Sequence, residues 1–155
     1  MKKILIILFI FLTTTIPTFA TTWVQIDSTT FIDKDSIKFY TRDNGEIDFT
    51  KKSFWIQQIN DGKSDFFKKL NKISNTNIEY RRSREIIDII RKKITTKSSA
   101  YYDIKGNVVY SNTNKDYQLD WQDIVPETNG ELWFQLVRKK RLLNRLYKNQ
   151  QLQQY

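Results

Sequence analysis

The chain contains no cysteine and no histidine, and only four glycines and two prolines among its 155 residues. Each shortage excludes chemistry. Without cysteine there is no disulfide and no thiol nucleophile. Without histidine, Ser–His and Cys–His nucleophilic machinery cannot be assembled, and no side chain has an unperturbed pKa near neutrality. Zinc sites draw mainly on those same two residue types, so no metal is expected. The few glycines form no phosphate-cradling loop. A carboxylate pair can do acid–base work, as in glycosidases, but the acidic residues here are scattered, mostly beside turns. The expectation is a protein that is not an enzyme and holds no cofactor.

What is present starts with a leader. Lys2 and Lys3 precede an unbroken apolar run, Ile4 to Leu12. That run falls short of the ~20 residues needed to span a bilayer. Thr18-Phe19-Ala20 has the small-x-small spacing of a signal-peptidase site, so residues 1–20 are expected to be a signal peptide cleaved after Ala20. No cysteine stands there to carry a lipid. The expected location is the periplasm or the outer cell surface. Residues 21–155 are long enough for one domain with a real core.

Charge is unbalanced. Lys and Arg number 26 against 17 Asp and Glu, a net charge of +9; without Lys2 and Lys3 it is +7. A basic exported domain suits an anionic partner such as lipid headgroups, lipopolysaccharide, acidic glycan or an acidic protein. The same charge also serves ordinary solubility. No nucleic-acid motif accompanies it, so nucleic acid is not an expected partner.

Periodicity reads as β over residues 22–59. Short extended pieces cover 22–26, 30–33 and 37–42, then Asp43-Asn44-Gly45 gives a strong hairpin signal. A long return strand follows over 46–59, its alternation changing phase near Lys51-Lys52 as at a bulge. Residues 64–73 place Phe66, Phe67, Leu70 and Ile73 at helical spacing. Residues 78–96 are ambiguous. Ile86, Ile87, Ile90 and Ile94 fit a helical face, while the density of β-branched residues fits a strand. Lys105-Gly106 marks a second hairpin between strands at 98–103 and 107–111, and an extended piece at 120–125 stops at Pro126. Thr128 with Glu131 reads as a capping box opening a helix from Asn129 to about Gln150, ~33 Å long. Its apolar stripe is Leu132, Trp133, Leu136, Val137, Leu143 and Tyr147, interrupted by Lys139 and Lys140.

Two basic clusters are candidate anion- or partner-binding sites. Arg138, Arg141, Arg145 and Lys148 fall on one face of that helix, at spacings of three, four and three. Such a face also complements the negative end of the helix dipole. Arg81, Arg82 and Arg84 open the ambiguous stretch; as a strand, Arg82 and Arg84 share a face. An exposed strand kept soluble by charge has the same composition.

Tyr101-Tyr102-Asp103, Gly106-Asn107-Val108-Val109, Trp121 with Ile124-Val125-Pro126, and Leu132-Trp133 together resemble the surface-adhesin protein E family of bacterial envelope proteins. Trp23-Val24 and Phe31-Ile32-Asp33 with Ser36-Ile37 are similar to the family's start. The resemblance covers roughly residues 23–137. It implies an α+β fold, an antiparallel sheet of about six strands packed against a long C-terminal helix, and it favours strand over 78–96. It also implies adhesion to host cell-surface or extracellular-matrix proteins and carries no catalytic residues. Positions that hold cysteines in the family correspond here to Ile89 and Val137, as if a strand–helix disulfide were replaced by an apolar contact. The basic extension past Arg138 is not explained by the resemblance. The expected function is a non-enzymatic surface-associated binding protein. The alternative is a periplasmic envelope protein that binds anionic lipid or lipopolysaccharide through its basic helix. A homodimer is left open.

Overall fold

Two glycines turn the chain back on itself where L-residues are strained. Gly45 sits at φ 87° and Gly106 at φ 81°; this is the left-handed region that glycine enters freely. The Arg42 amide donates to the Glu46 carbonyl at 2.8 Å across the first turn. In the second, the Asp103 carboxylate accepts the Lys105 and Asn107 amides at 2.9 and 2.8 Å. Both hairpins stand where the sequence placed them.

The computed structural model describes residues 21–153, apart from the side chains of residues 141–143. The expected signal peptide over 1–20 lies outside the described residues. The strands are β1 (Trp23–Gln25), β2 (Thr30–Asp33), β3 (Lys38–Thr41), β4 (Ile47–Ile59), β5 (Tyr80–Asp88), β6 (Lys93–Tyr102), β7 (Val108–Thr113) and β8 (Gln122–Asp123). The α-helices are α1 (Asp65–Ser74), α2 (Asn129–Arg138) and α3 (Lys140–Leu152). All pairings are antiparallel, in the order β1-β2-β4-β5-β6-β7, with β3 on β4 and β8 on β6. The fold is therefore α+β, as expected. No helix among the described residues is long and apolar enough to cross a membrane.

The sheet has eight strands among the described residues rather than about six. Residues 78–96 form most of a hairpin rather than a single strand. β5 ends at Asp88, whose Oδ1 accepts the Ile90 and Arg91 amides at 3.0 and 2.8 Å, and Lys92 takes φ 53° before β6 begins. An aspartate can close such a turn with its own carboxylate, so the turn has no glycine to announce it. The expected bulge is present. Phe39 pairs with Lys52 but Tyr40 with Asp48, leaving residues 49–51 unpaired with β3.

The long helix is broken. α2 ends at Arg138 and α3 begins at Lys140, with Lys139 at φ −113° and ψ 67° between them. A continuous helix would place Lys140 one turn beyond buried Leu136, on the core-facing side. Burying an unpaired ammonium is costly; the break avoids it. Lys52 Nζ donates to the Val137 carbonyl at 3.2 Å, placing a cation at the negative end of α2. At the other end, Thr128 is the N-cap residue but its hydroxyl donates backwards to the Val125 carbonyl. Glu131 accepts the Glu127 amide, one residue earlier than a capping box requires.

The main core lies between the sheet and α2. Val24, Ile32, Ile37, Phe54, Ile56 and Ile87 meet Phe134, Leu136 and Val137, all buried. Trp133 and Tyr147 pack against this cluster, while Leu132 is 39% exposed. The stripe drawn from sequence thus ran slightly off phase and omitted Phe134. Ile89 packs against the same cluster that contains Val137. A smaller core joins α1 to the sheet through Phe67, Leu70, Ile78 and Tyr101.

Candidate functional site

Successive residues of β5 point to opposite faces of the sheet, and this alternation sorts its three arginines. Arg81 faces the helices. Its Nη2 lies 3.3 Å from Glu85 Oε1, and its guanidinium stands over the Phe66 and Tyr101 rings. Thr96 donates to Glu85 at 2.9 Å. Burial lifts the Glu85 carboxyl above its usual range, with Arg81 opposing. Arg81, Glu85, Thr96, Gln58 and Trp133 line a polar cleft of about 360 Å³. Arg81 Nε and Trp133 Nε1 are buried there without a partner among the described residues.

Arg82 and Arg84 face the other way, onto a stretch of sheet that carries no α-helix among the described residues. They flank Trp55, which pairs with Arg84 across β4 and β5. Arg84 Nη2 donates to Ser53 Oγ at 3.2 Å and its guanidinium lies over Tyr40. Arg82 has a different setting. Three rings surround its guanidinium carbon: Tyr80 at 5.3 Å, Trp23 at 5.5 Å and Tyr102 at 5.6 Å. Tyr80 and Tyr102 stack on each other, centroids 4.6 Å apart. Its one hydrogen bond among the described residues runs from Nε to Gln57 Oε1, 2.9 Å, and no carboxylate stands within ion-pair distance of it among them.

Arg82 lines a groove of about 390 Å³ on this face. Its other walls include Trp23, Trp55, Tyr102, Ser98, Ser111, Asn112 and Thr113. Asp33 also lines it, with Oδ1 accepting the Asp35 amide at 3.1 Å. The arginines of β5 are thus half-buried members of a central strand, rather than charges on an exposed one.

Beyond Arg84 the helix-free face is covered by β3 and the 3-10 turn Asp116–Gln118. β6 carries an extra residue here: Arg84 pairs with Ser98 and Glu85 with Thr96, so Lys97 is the bulged residue. Lys97 Nζ reaches Asp43 at 2.7 Å and Asp116 at 2.6 Å, and Tyr40 OH donates to Asp116. Burial raises the Asp116 carboxyl, but the Lys97 and Tyr40 hydrogen bonds outweigh it and hold it at about 2. Tyr40 is pushed up to about 12 by burial and by Asp116.

The C-terminal candidates separate. Arg138 ends α2, whereas Arg145 and Lys148 lie on α3, all three exposed. The backbone of Arg141 belongs to α3 and its side chain lies outside the described set. The four do not share one continuous helix face, because the break at Lys139 changes the phase. No hydrogen bond, ion pair or groove wall among the described residues joins Arg138, Arg145 or Lys148 to the β5 arginines. What sequence reading missed is the ring cage. Trp23, Tyr80 and Tyr102 come from three strands, and no linear spacing reports that they meet at Arg82.

No family model and no curated protein sequence matches this chain. Solved structures of Haemophilus influenzae protein E are similar to it. One, from a non-typeable strain, has 14% identity and TM-score 0.48 over 86% of this chain and 93% of that one. A second crystal form has 11% identity and TM-score 0.46 over 74% of this chain and 85% of that one. A third structure has 13% identity and TM-score 0.45 over 74% and 82%.

Proposed function

We propose that this chain is an exported, non-enzymatic binding protein of the cell envelope that attaches to a host-surface or matrix partner in the manner of an adhesin. The observation that carries this reading is the helix-free sheet face. It holds an arginine with no carboxylate partner among the described residues, in the same groove as the exposed indole of Trp55. Arginine and aromatic side chains are the residue types that concentrate binding energy at protein surfaces. The motif resemblance described above supports the same role. The lipid alternative is weakened by the division of its basic ridge between two helices.

Two measurements test the reading. Protease treatment of intact cells should remove the protein if it is displayed at the surface. The purified domain should bind a host cell layer, and Trp55→Ala should weaken that binding without lowering the urea midpoint by more than a few tenths of a molar. Full protection from protease, or cell binding indifferent to Trp55, overturns it.

A further inference from the structure

The groove around Arg82 has a composition that fits one chemical class of ligand. A guanidinium presents a planar fork of donors that matches carboxylate and sulfate oxygens in pairs. In Arg82 the Nε position is taken by Gln57, while the terminal nitrogens have no partner among the described residues. Tyr80, Trp23 and Tyr102 fix the guanidinium plane by cation–π contact, so little rotamer freedom remains to be lost on binding. The charge is therefore held in place, with no ion-pair partner among the described residues.

Apart from Asp33, a buried carboxylate that accepts the Asp35 amide, the rest of the lining is uncharged. Ser98, Ser111, Asn112 and Thr113 offer hydroxyl and amide groups along β6 and β7. Trp55, 38% exposed, offers an apolar ring in the same groove. A cation for one acidic group, several donors and acceptors for hydroxyls, and an indole against which a sugar ring's C–H face packs make a coherent set. A phospholipid surface would instead favour protruding apolar side chains around the cation, whereas here the rings of Trp23, Trp55 and Tyr102 are groove walls set among short Ser, Thr and Asn side chains.

We infer that this groove binds an acidic saccharide, its carboxylate or sulfate seated on Arg82 and a neighbouring ring stacked on Trp55. The inference rests on the adhesin-like reading for its biological setting, and it names the part of the partner that the sheet face recognises.

The test uses the purified residue 21–155 domain with a sialylated oligosaccharide, a sulfated glycosaminoglycan fragment and a neutral oligosaccharide of equal length, measured by calorimetry at low and physiological salt. At least one acidic sugar should bind at least tenfold more tightly than the neutral one. Arg82→Gln should lower that affinity tenfold or more, Arg82→Lys by less, and Trp55→Ala several-fold. Asn112→Asp, an exposed change that places a negative charge on the rim, should weaken binding by a similar factor if Arg82 variants prove unstable. Arg145→Glu with Lys148→Glu should change it less than twofold. Equal binding of the neutral sugar, or no effect from both Arg82→Gln and Asn112→Asp, overturns the inference. So does Arg82-dependent binding to phosphatidylglycerol vesicles without binding to either acidic sugar. If the domain binds host cells but no acidic sugar, the saccharide inference fails and the adhesin reading stands. If it binds the sugar but the protein is protected on intact cells, the reverse holds.

Discussion

Lys97 and Asp116 meet at 2.6 Å although one is the bulged residue of β6 and the other opens a 3-10 turn. Asp43 closes the group. Its carboxylate accepts the Asp116 amide at 2.9 Å, and the Asp116 carboxylate accepts the Asp43 amide at 2.9 Å. The β3–β4 hairpin is thereby tied to the β7–β8 connection by a polar cluster.

This cluster should give stability a defined pH window. Asp116 ionises near 2 when folded and near ~4 when unfolded, so its contribution is present above about pH 4 and is lost as pH falls towards 2. Tyr40 is raised to about 12 from ~10, so its contribution is present below about pH 10 and is lost as pH rises through 12. The urea midpoint should fall on both sides of that window. Asp116→Asn should cost about 1–3 kcal/mol at pH 7 and shrink both declines. Urea titrations at pH 3, 7 and 10.5 check it.

Glu85 should behave in the opposite sense. Its folded pKa is raised by burial, so the protonated form favours folding at low pH and that advantage is lost as pH rises through the folded value. Glu85→Gln is therefore expected to be neutral or stabilising at pH 7, with the difference vanishing below about pH 4. Arg81→Leu alone strands the carboxylate and should cost about 2–4 kcal/mol; combining it with Glu85→Gln should recover most of that. A double-mutant cycle by chemical denaturation reads the coupling.

The α2 clamp can be weighed residue by residue. Phe134→Ala and Leu136→Ala each empty a buried site and should cost about 3–5 and 2–5 kcal/mol. Leu132→Ala, on the exposed side, should cost less than about 1 kcal/mol. Thermal unfolding followed by circular dichroism separates the two outcomes.

Turn conformation gives the simplest check. Lys92 sits at φ 53°, where an L-residue is strained by about 1–2 kcal/mol; glycine relieves this at a cost of about 0.5–1 kcal/mol in chain entropy. Lys92→Gly should raise stability by about 0.5–1 kcal/mol. Gly45→Val, which forces a β-branched residue to φ 87°, should lower it by at least about 1 kcal/mol. Urea midpoints of the two variants should move in opposite directions.

These turns also show what the sequence made legible. Gly45 and Gly106 advertise their turns because glycine has a backbone reason to be there. The Ile89–Lys92 turn depends on the Asp88 carboxylate and a strained lysine, and two isoleucines inside it imitate a continuing strand. The helix break was visible only as a clash between Lys139, Lys140 and the apolar stripe, with no proline or glycine to mark it. Phe134 was overlooked because the stripe was phased on Leu132. The arginines of β5 were found by composition and their separation onto two faces by strand alternation. Their aromatic surroundings were not, because that cage is assembled by sheet pairing over long sequence distances.

Gln150 Nε2 donates to the Gln25 carbonyl at 2.7 Å, so α3 finishes against β1, two residues from where the described chain enters. The two ends of the described segment therefore lie at the same margin of the sheet, and β7 with Tyr110 lies at the opposite margin. Immobilising the molecule through residue 22 or residue 149 leaves the β7 margin pointing outward, and dyes attached at those two positions stay within energy-transfer range until the structure melts.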